Sequence, residues 1–486
     1  MKKHLRTSII YVGLGFLPMG VNFLLAPLYS HLLSPEQNAL VGQATLVQGF
    51  MAVFLNFSID GGFSRMYFDY YKSRVQLYEY LSSVLIFTIL LSFLILIILY
   101  FFGNYIFMTF QKNGIFTFTK YGIWVFITTL CVLLQSVFLA YFRNEEKPLQ
   151  YSLVSLSYFF FALGFTLVGL LIFRAEALGS IIGKAGGYLL ATLIYLVLFF
   201  LKTGLKFNFF QIKKSLHFSI PIMPYLFSMA LYTNIDRIII ERFFTLHDLG
   251  IYNFALIIAS AVAVFISASQ NTLIPVIYKE LAEERINETK INRIFTFFHY
   301  GVTIIISIGL FITIFFTNIF IAKEYRSFLN YIGILFLAYI FRAYYLIYIN
   351  NFFFYKKTKW IFLITLTSFL IGVLFNYLLI PWFGIVGVCL TVLLINMTQA
   401  FGAYYQLAKY KMLCSYFKLR RNHVYTSCLV FSYFAGLLIS DVFNISAVWV
   451  NCIPFLITLG FALYLLVYSK GALSRTRKLI YSIWRS

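Results

Sequence analysis

Unbroken apolar runs of about 20 residues recur along this chain, separated by short charged or turn-rich breaks. An α-helix of roughly 20 residues crosses the hydrocarbon of a bilayer. In lipid every backbone N–H and C=O must be satisfied within the structure, which leaves helices or closed barrels. Barrel strands would alternate in hydropathy over about 10 residues, and these runs are continuous. Composition points the same way: 61% of the 486 residues are hydrophobic and only 11% charged, with a mean hydropathy of +0.86. A soluble domain carries roughly 25% charged residues to clothe its surface. The expected fold is therefore an all-α integral membrane protein.

Cutting at the breaks predicts 14 spans, near 9–31, 40–59, 82–108, 121–142, 149–173, 177–200, 217–241, 249–273, 294–321, 329–353, 360–380, 384–407, 425–443 and 448–468. The basic start Met1-Lys2-Lys3-His4-Leu5-Arg6 resembles a signal-peptide n-region. The apolar stretch behind it is too long and lacks an Ala-x-Ala site, so it reads as a retained first span. An even number of spans puts both termini on one side. With that side cytoplasmic, 29 of the 38 Lys and Arg fall in cytoplasmic segments and six on the opposite face, as the positive-inside rule requires. The net charge of +22 is then explained by basic loops lying against anionic lipid head groups, and no nucleic-acid partner is called for.

No loop is large enough to hold a soluble catalytic domain. Residues 278–293 mix both signs at helical spacing and predict a short surface helix. Cys131, Cys389, Cys428 and Cys452 lie in apolar segments and Cys414 in a basic loop; no CxxC or Cys/His spacing points to a metal or cofactor. The six histidines, His4, His31, His217, His247, His299 and His423, read as span ends or loops, and no Asp-x-Asp exists. The chain is expected not to be an enzyme.

Self-comparison reveals a repeat. Leu33-Ser34-Pro35-Glu36-Gln37-Asn38-Ala39-Leu40 matches the position of Phe244-Thr245-Leu246-His247-Asp248-Leu249-Gly250-Ile251, and 142–147 matches 354–359, at a shared offset of 208–212. Six spans, an even number, separate the halves, so both have the same orientation and are related by a pseudo-twofold axis along the membrane normal. The expected organisation is two six-helix lobes, 1–210 and 211–415, with two further helices and a basic tail in 416–486.

Phe218-Ser219-Ile220-Pro221-Ile222-Met223-Pro224, Asn234-Ile235-Asp236-Arg237-Ile238-Ile239-Ile240, Leu249-Gly250-Ile251-Tyr252-Asn253-Phe254-Ala255 and Pro275-Val276-Ile277-Tyr278 follow one another in the second half. Together they resemble the Wzx-type polysaccharide flippases of the MOP (MATE-like) superfamily. Asn22, Pro27-Leu28-Tyr29-Ser30 and Ile59-Asp60-Gly61-Gly62-Phe63-Ser64-Arg65-Met66-Tyr67 resemble the start of that family. Asn38-Ala39-Leu40 departs from it, where a Tyr-Gly pair is common. The resemblance implies a transporter of the bacterial cytoplasmic membrane whose cargo is an undecaprenyl-diphosphate-linked oligosaccharide, moved from the inner to the outer leaflet for O-antigen, capsule or exopolysaccharide synthesis. Membrane lipids and other polysaccharide-assembly membrane proteins are the implied partners.

An ionisable side chain at mid-bilayer costs about 2.5–3.5 kcal/mol on insertion scales and so faces protein or a watery cavity. Arg342, Arg237, Asp236 and Lys184 lie within expected spans. Arg237 is spaced to pair with Glu241 at i,i+4 or to meet cargo. Lys184, in the small-residue run Gly179–Gly187, either lines a cavity or snorkels outward; Arg65, at the inner mouth of span two, meets a phosphate or a lipid head group. Three basic groups against one acid predict a positive interior that suits a diphosphate, with Arg342, Arg237, Lys184 and Arg65 as substrate-binding residues. Asp236 and Asp60 are the acids placed for proton or sodium coupling. With the inside negative, moving about two negative charges outward gains roughly 2.3 kcal/mol per charge per 100 mV. A lipid II-type flippase, a drug or cation antiporter and a membrane glycan polymerase are the rival readings.

Overall fold

A computed structural model describes residues 21–57, 59–110, 114–281, 288–355, 357–410 and 456. The described elements are helices throughout: α1 Val21–Leu32, α2 Pro35–Asn56, α3 Ile59–Tyr70, α4 Arg74–Phe110, α5 Ile123–Asn144, α6 Pro148–Leu167, α7 Glu176–Thr203, α8 Phe209–Ser219, α9 Met223–Phe243, α10 Leu246–Leu281, α11 Glu288–Phe320, α12 Leu329–Phe354 and α13 Thr358–Lys409. Among the described residues, eight helical stretches are long and apolar enough to cross a membrane. The stretch Lys359–Lys409 covers two expected spans; Gly384 breaks it with φ 56° and ψ −133°. That left-handed φ is costly for any side chain but glycine. Expected spans seven and nine are α9 and α11, and spans thirteen and fourteen, with the basic tail, lie outside the described residues.

Two elements depart from expectation. The segment 60–81, read as a loop, forms α3 and the first turns of α4. The predicted surface helix at 278–293 is divided between the end of α10 and the start of α11, with 282–287 outside the described residues.

By packing, the chain falls into two units, one formed by Leu28–Asn253 with Gly13–Val21 and the other by Phe254–Ser486 with two short N-terminal pieces. In the first, aromatic side chains build the core of α3–α7: Phe63 stacks on Tyr80 at 5.6 Å and Phe138 on Phe199 at 4.7 Å. Helices α6 and α7 run antiparallel in backbone contact. A Cβ on Gly179, Gly183 or Gly187 would lie 2.5, 2.4 and 2.4 Å from the carbonyl oxygens of Gly169, Phe165 and Phe161. The small-residue run thus does what small residues do between membrane helices, letting two backbones meet. In the second unit, α12 is the central helix, with 83% of its apolar window buried.

Candidate functional site

Helix α2 organises the polar interior of the first unit. Its start is written into the sequence: Ser34 caps it, accepting from the Gln37 N–H at 3.3 Å, Pro35 occupies the first turn and Glu36 complements the helix dipole. From there α2 descends antiparallel to α9. Gln43 meets Glu241, Gly49 faces Asn234 and Phe54 meets Phe227. On another side it runs parallel to α7, where Gln37 accepts from the Ala177 N–H at 3.3 Å and Lys184 reaches Gln48.

Its first turns also pack against those of α10. Asn38 Nδ2 donates to the Gly250 carbonyl at 2.9 Å, Asn253 Nδ2 donates to the Asn38 carbonyl at 3.2 Å, and His247 Nδ1 lies 2.9 Å from Glu36 Oε1. A Cβ on Gly250 would sit 1.7 Å from the Pro35 carbonyl oxygen, and one on Gly42 would sit 2.6 Å from Asn253 Cγ. At Gly250 the obstacle is backbone, so only glycine permits the approach; at Gly42 a side chain would require the Asn253 carboxamide to shift.

Of the ionisable side chains along these helices, Lys184, Asp236, Arg237 and Glu241 bear on the expected charged interior. Lys184 Nζ is 3.5 Å from Gln48 Oε1, a long contact for a hydrogen bond, and the chain points to α2 rather than outward to lipid. Arg237 Nη1 donates to Asn234 Oδ1 at 2.9 Å, and its Nε has no partner among the described residues. Asp236 accepts from Tyr252 Oη at 2.5 Å, and Glu241 accepts from Gln43 Nε2 at 2.5 Å. Both carboxylates are buried. The acids are thus met by neutral donors and the cations by neutral acceptors. None of the described ion pairs joins any of the four.

This arrangement corrects two expectations. Arg237 does not pair with Glu241: Asn234, one turn back, takes the guanidinium, and Glu241 faces α2. The tally of three basic groups against one acid also omitted Glu241, a second buried acid, which shares this unit with Lys184, Arg237 and Asp236. Arg342 belongs to the other unit, half-buried on α12 between buried Phe341 and Ala343. Arg65 and Asp60 lie on α3, their side chains outside the described residues. His299 is not a span-end residue in contact with solvent; it is fully buried against the Tyr344 ring, centroids 3.9 Å apart.

Sequence reasoning passed over Gln43 and Gln48, whose signal was an amide inside an apolar run, and Glu145 at the α5–α6 turn. Tyr67 Oη and Arg74 Nη1 each donate to Glu145 Oε1 at 2.5 Å, and Lys147 Nζ donates to Oε2 at 3.1 Å. Burial works to raise this carboxyl, but those three donors outweigh it and hold it at about 2.

A model of the polysaccharide biosynthesis protein family matches residues 4–281, more than half the chain. The chain belongs to that family. A search of curated proteins finds no match, whereas 33 solved chains match in structure. An inward-facing multidrug-resistance MATE family transporter of the MOP superfamily aligns with a TM-score of 0.66 at 12% identity, over 84% of this chain and 100% of its own. The lipid II flippase MurJ, in an inward closed conformation, aligns with a TM-score of 0.64 at 15% identity, over 95% and 100%. A mutant of the Vibrio cholerae MATE transporter VcmN aligns with a TM-score of 0.57 at 14% identity, over 86% and 98%. This polysaccharide biosynthesis protein therefore has the MOP transporter fold, in line with the Wzx-type resemblance carried by its residues. It is a multi-pass membrane protein.

Proposed function

We propose that this chain is a flippase that moves undecaprenyl-diphosphate-linked oligosaccharide from the cytoplasmic to the outer leaflet of the bacterial inner membrane, for O-antigen, capsule or exopolysaccharide assembly. It acts by alternating access, without cofactor or bond chemistry, through lobes 1–210 and 211–415 that rock about a central cleft. Residues 416–486 are appended, and both termini are cytoplasmic. The observation that carries the reading is how the buried charges are committed. Asp236 and Glu241 accept from Tyr252 and Gln43, so among the described residues neither forms an ion pair with Lys184 or Arg237. A guanidinium left with an unpartnered Nε keeps a donor for a phosphate oxygen, and arginine matches phosphate through its planar fork. Arg342 and Arg65 extend the cationic path; Asp236 and Asp60 are assigned to ion coupling.

The contacts between α2 and α10 support the two-lobe cycle. Glu36 and His247, and likewise Gly42 and Asn253, are separated by 211 residues, within the repeat offset. On the proposed repeat these are equivalent positions of the two halves, and such positions meet on a twofold axis. Outward opening requires this junction to part.

The test is a deletion strain complemented with wild type, Arg237→Ala or Arg342→Ala, with lipid-linked glycan scored by leaflet through labelling from outside. Accumulation on the inner leaflet, uncorrected by expressed arginine variants, is the expected result. Normal flipping by either variant removes that arginine from the cargo path. Glycan carriers found outside but unpolymerised would make the protein a polymerase, and stalled cell-wall precursor would make it a lipid II-type flippase. Undisturbed glycan with changed resistance to cationic drugs would make it an antiporter.

A further inference from the structure

We propose that α8 and the linker leading into it, residues 202–219, form an in-plane binding surface for anionic phospholipid head groups. At 11 residues, α8 is about 16 Å long and cannot cross a bilayer. One of its faces is committed to the protein. Gln211, Ile212, Ser215 and Ser219 are buried at helical spacing; Ser215 Oγ lies 3.0 Å from Tyr80 Oη, and Gly62 leaves room for Ser215 and Ser219 against α3. Asn208 caps the helix through the N–H groups of Phe210 and Gln211 and is itself tied to α4, donating from its backbone to Ser83 Oγ at 2.8 Å and from Nδ2 to Glu79 at 3.2 Å. The helix is fixed in place by these bonds, and its other face has a single orientation.

That other face combines two chemistries. Leu205, Phe209 and Phe210 are 75%, 63% and 74% exposed, which is unfavourable in water. Lys206, Lys213 and Lys214 are exposed beside them, which is unfavourable in hydrocarbon. The plane where head groups meet acyl chains satisfies both, with the rings lying in the boundary and the ammonium groups at phosphate level. The charge selects the lipid. Lys214 is held by Asp69 at 3.1 Å and Lys202 donates to Tyr141 Oη at 3.1 Å. Among the described residues, neither Lys206 nor Lys213 has an acidic partner, so the surface carries positive charge that a zwitterionic head group does not neutralise. That the surface faces the cytoplasmic leaflet rests on the topology proposed above; the binding does not.

The full-length protein carrying Phe210→Trp, reconstituted in liposomes, tests this by the difference in its emission from wild type. Brominated phosphatidylglycerol is expected to quench the added indole more than brominated phosphatidylcholine at equal mole fraction. Lys206→Gln with Lys213→Gln is expected to weaken the anionic lipid about five-fold per lysine, and the corresponding arginine pair to retain it. Equal quenching by the two lipids, or an unchanged preference in the glutamine pair, would overturn the proposal. Displacement of the anionic lipid by stoichiometric inorganic pyrophosphate would also overturn it, reassigning the lysines to a soluble phosphate or the cargo's own diphosphate. No glycan is needed, so the outcome is independent of whether the protein flips one.

Discussion

Gly250→Ala is the sharpest perturbation of the α2–α10 junction. Its new methyl would begin 1.7 Å from the Pro35 carbonyl oxygen, and the obstacle is backbone that no rotamer change relieves. Restoring the closest separation real Cβ atoms tolerate, 3.0 Å, requires the first turn of α10 to retreat by about 1.3 Å. That retreat pulls the Asn38–Gly250 hydrogen bond, now 2.9 Å, and the Asn253–Asn38 bond, now 3.2 Å, out of range. Each buried group left without a partner costs about 1–3 kcal/mol, and the overpacking itself about 1–3 kcal/mol. Even a 2–3 kcal/mol loss, the low end of these, shifts the ratio of closed to open junctions by about 30–150-fold. The assay is the oxidation rate of a cysteine pair at Glu36 and His247, with and without Gly250→Ala, beside the thermal unfolding of each protein. Gly164→Ala, with nothing within 4 Å of the new methyl, is the control and should leave both unchanged. A Gly250→Ala protein that cross-links and unfolds like the parent would refute the claim that this junction closes on glycine.

Gln43→Leu removes the donor to buried Glu241 and should lower stability by about 3 kcal/mol, since an unpartnered buried charge is costly; adding Glu241→Leu should recover most of it. Thermal unfolding of the singles and the double measures this, and additive losses would sink it. At Glu145 the sign follows from a carboxyl held at about 2, below its ordinary value of 4.5. Its contribution is complete above the ordinary value and is lost as pH falls toward 2. Unfolding temperature measured from neutral to strongly acid pH should therefore fall more steeply in that window for wild type than for Glu145→Gln. The variant itself should be destabilised at neutral pH by about 1–3 kcal/mol, toward the low end because Arg74 is 59% exposed.

Apolar runs told most of the helices, because lipid makes twenty uninterrupted hydrophobic residues nearly diagnostic. They failed where a helix carries charges along one side. Asp60, Arg65, Asp69 and Lys72 made the start of 60–81 look like a loop, yet Phe63, Met66 and Tyr67 repeat at three- and four-residue spacing and are all buried, the amphipathic signature of α3. That reading would not have found α8, whose buried face is the mostly polar Gln211, Ile212, Ser215 and Ser219. In the site, single charges inside apolar runs were legible and their partners were not. Gln43 and Glu241 are 198 residues apart, and no local spacing announces such a pair. Spacing did suggest Arg237 with Glu241, but i,i+4 only permits contact; Asn234 and Gln43 offered each a better one.

The meeting of Glu36 with His247 has a consequence for how such a chain diverges. A true homodimer must set each axial residue against its own copy, glutamate against glutamate and glycine against glycine, because its interface is isologous. Two repeats fused in one chain escape that rule. On the proposed two-lobe reading these contacts lie at the axis, where an acid faces an imidazole and a glycine makes room for an asparagine, 211 positions on in both cases. On that reading, fusion turns a self-complementary seam into a heterotypic one, in which each side evolves as the mate of the other and the two halves are no longer interchangeable.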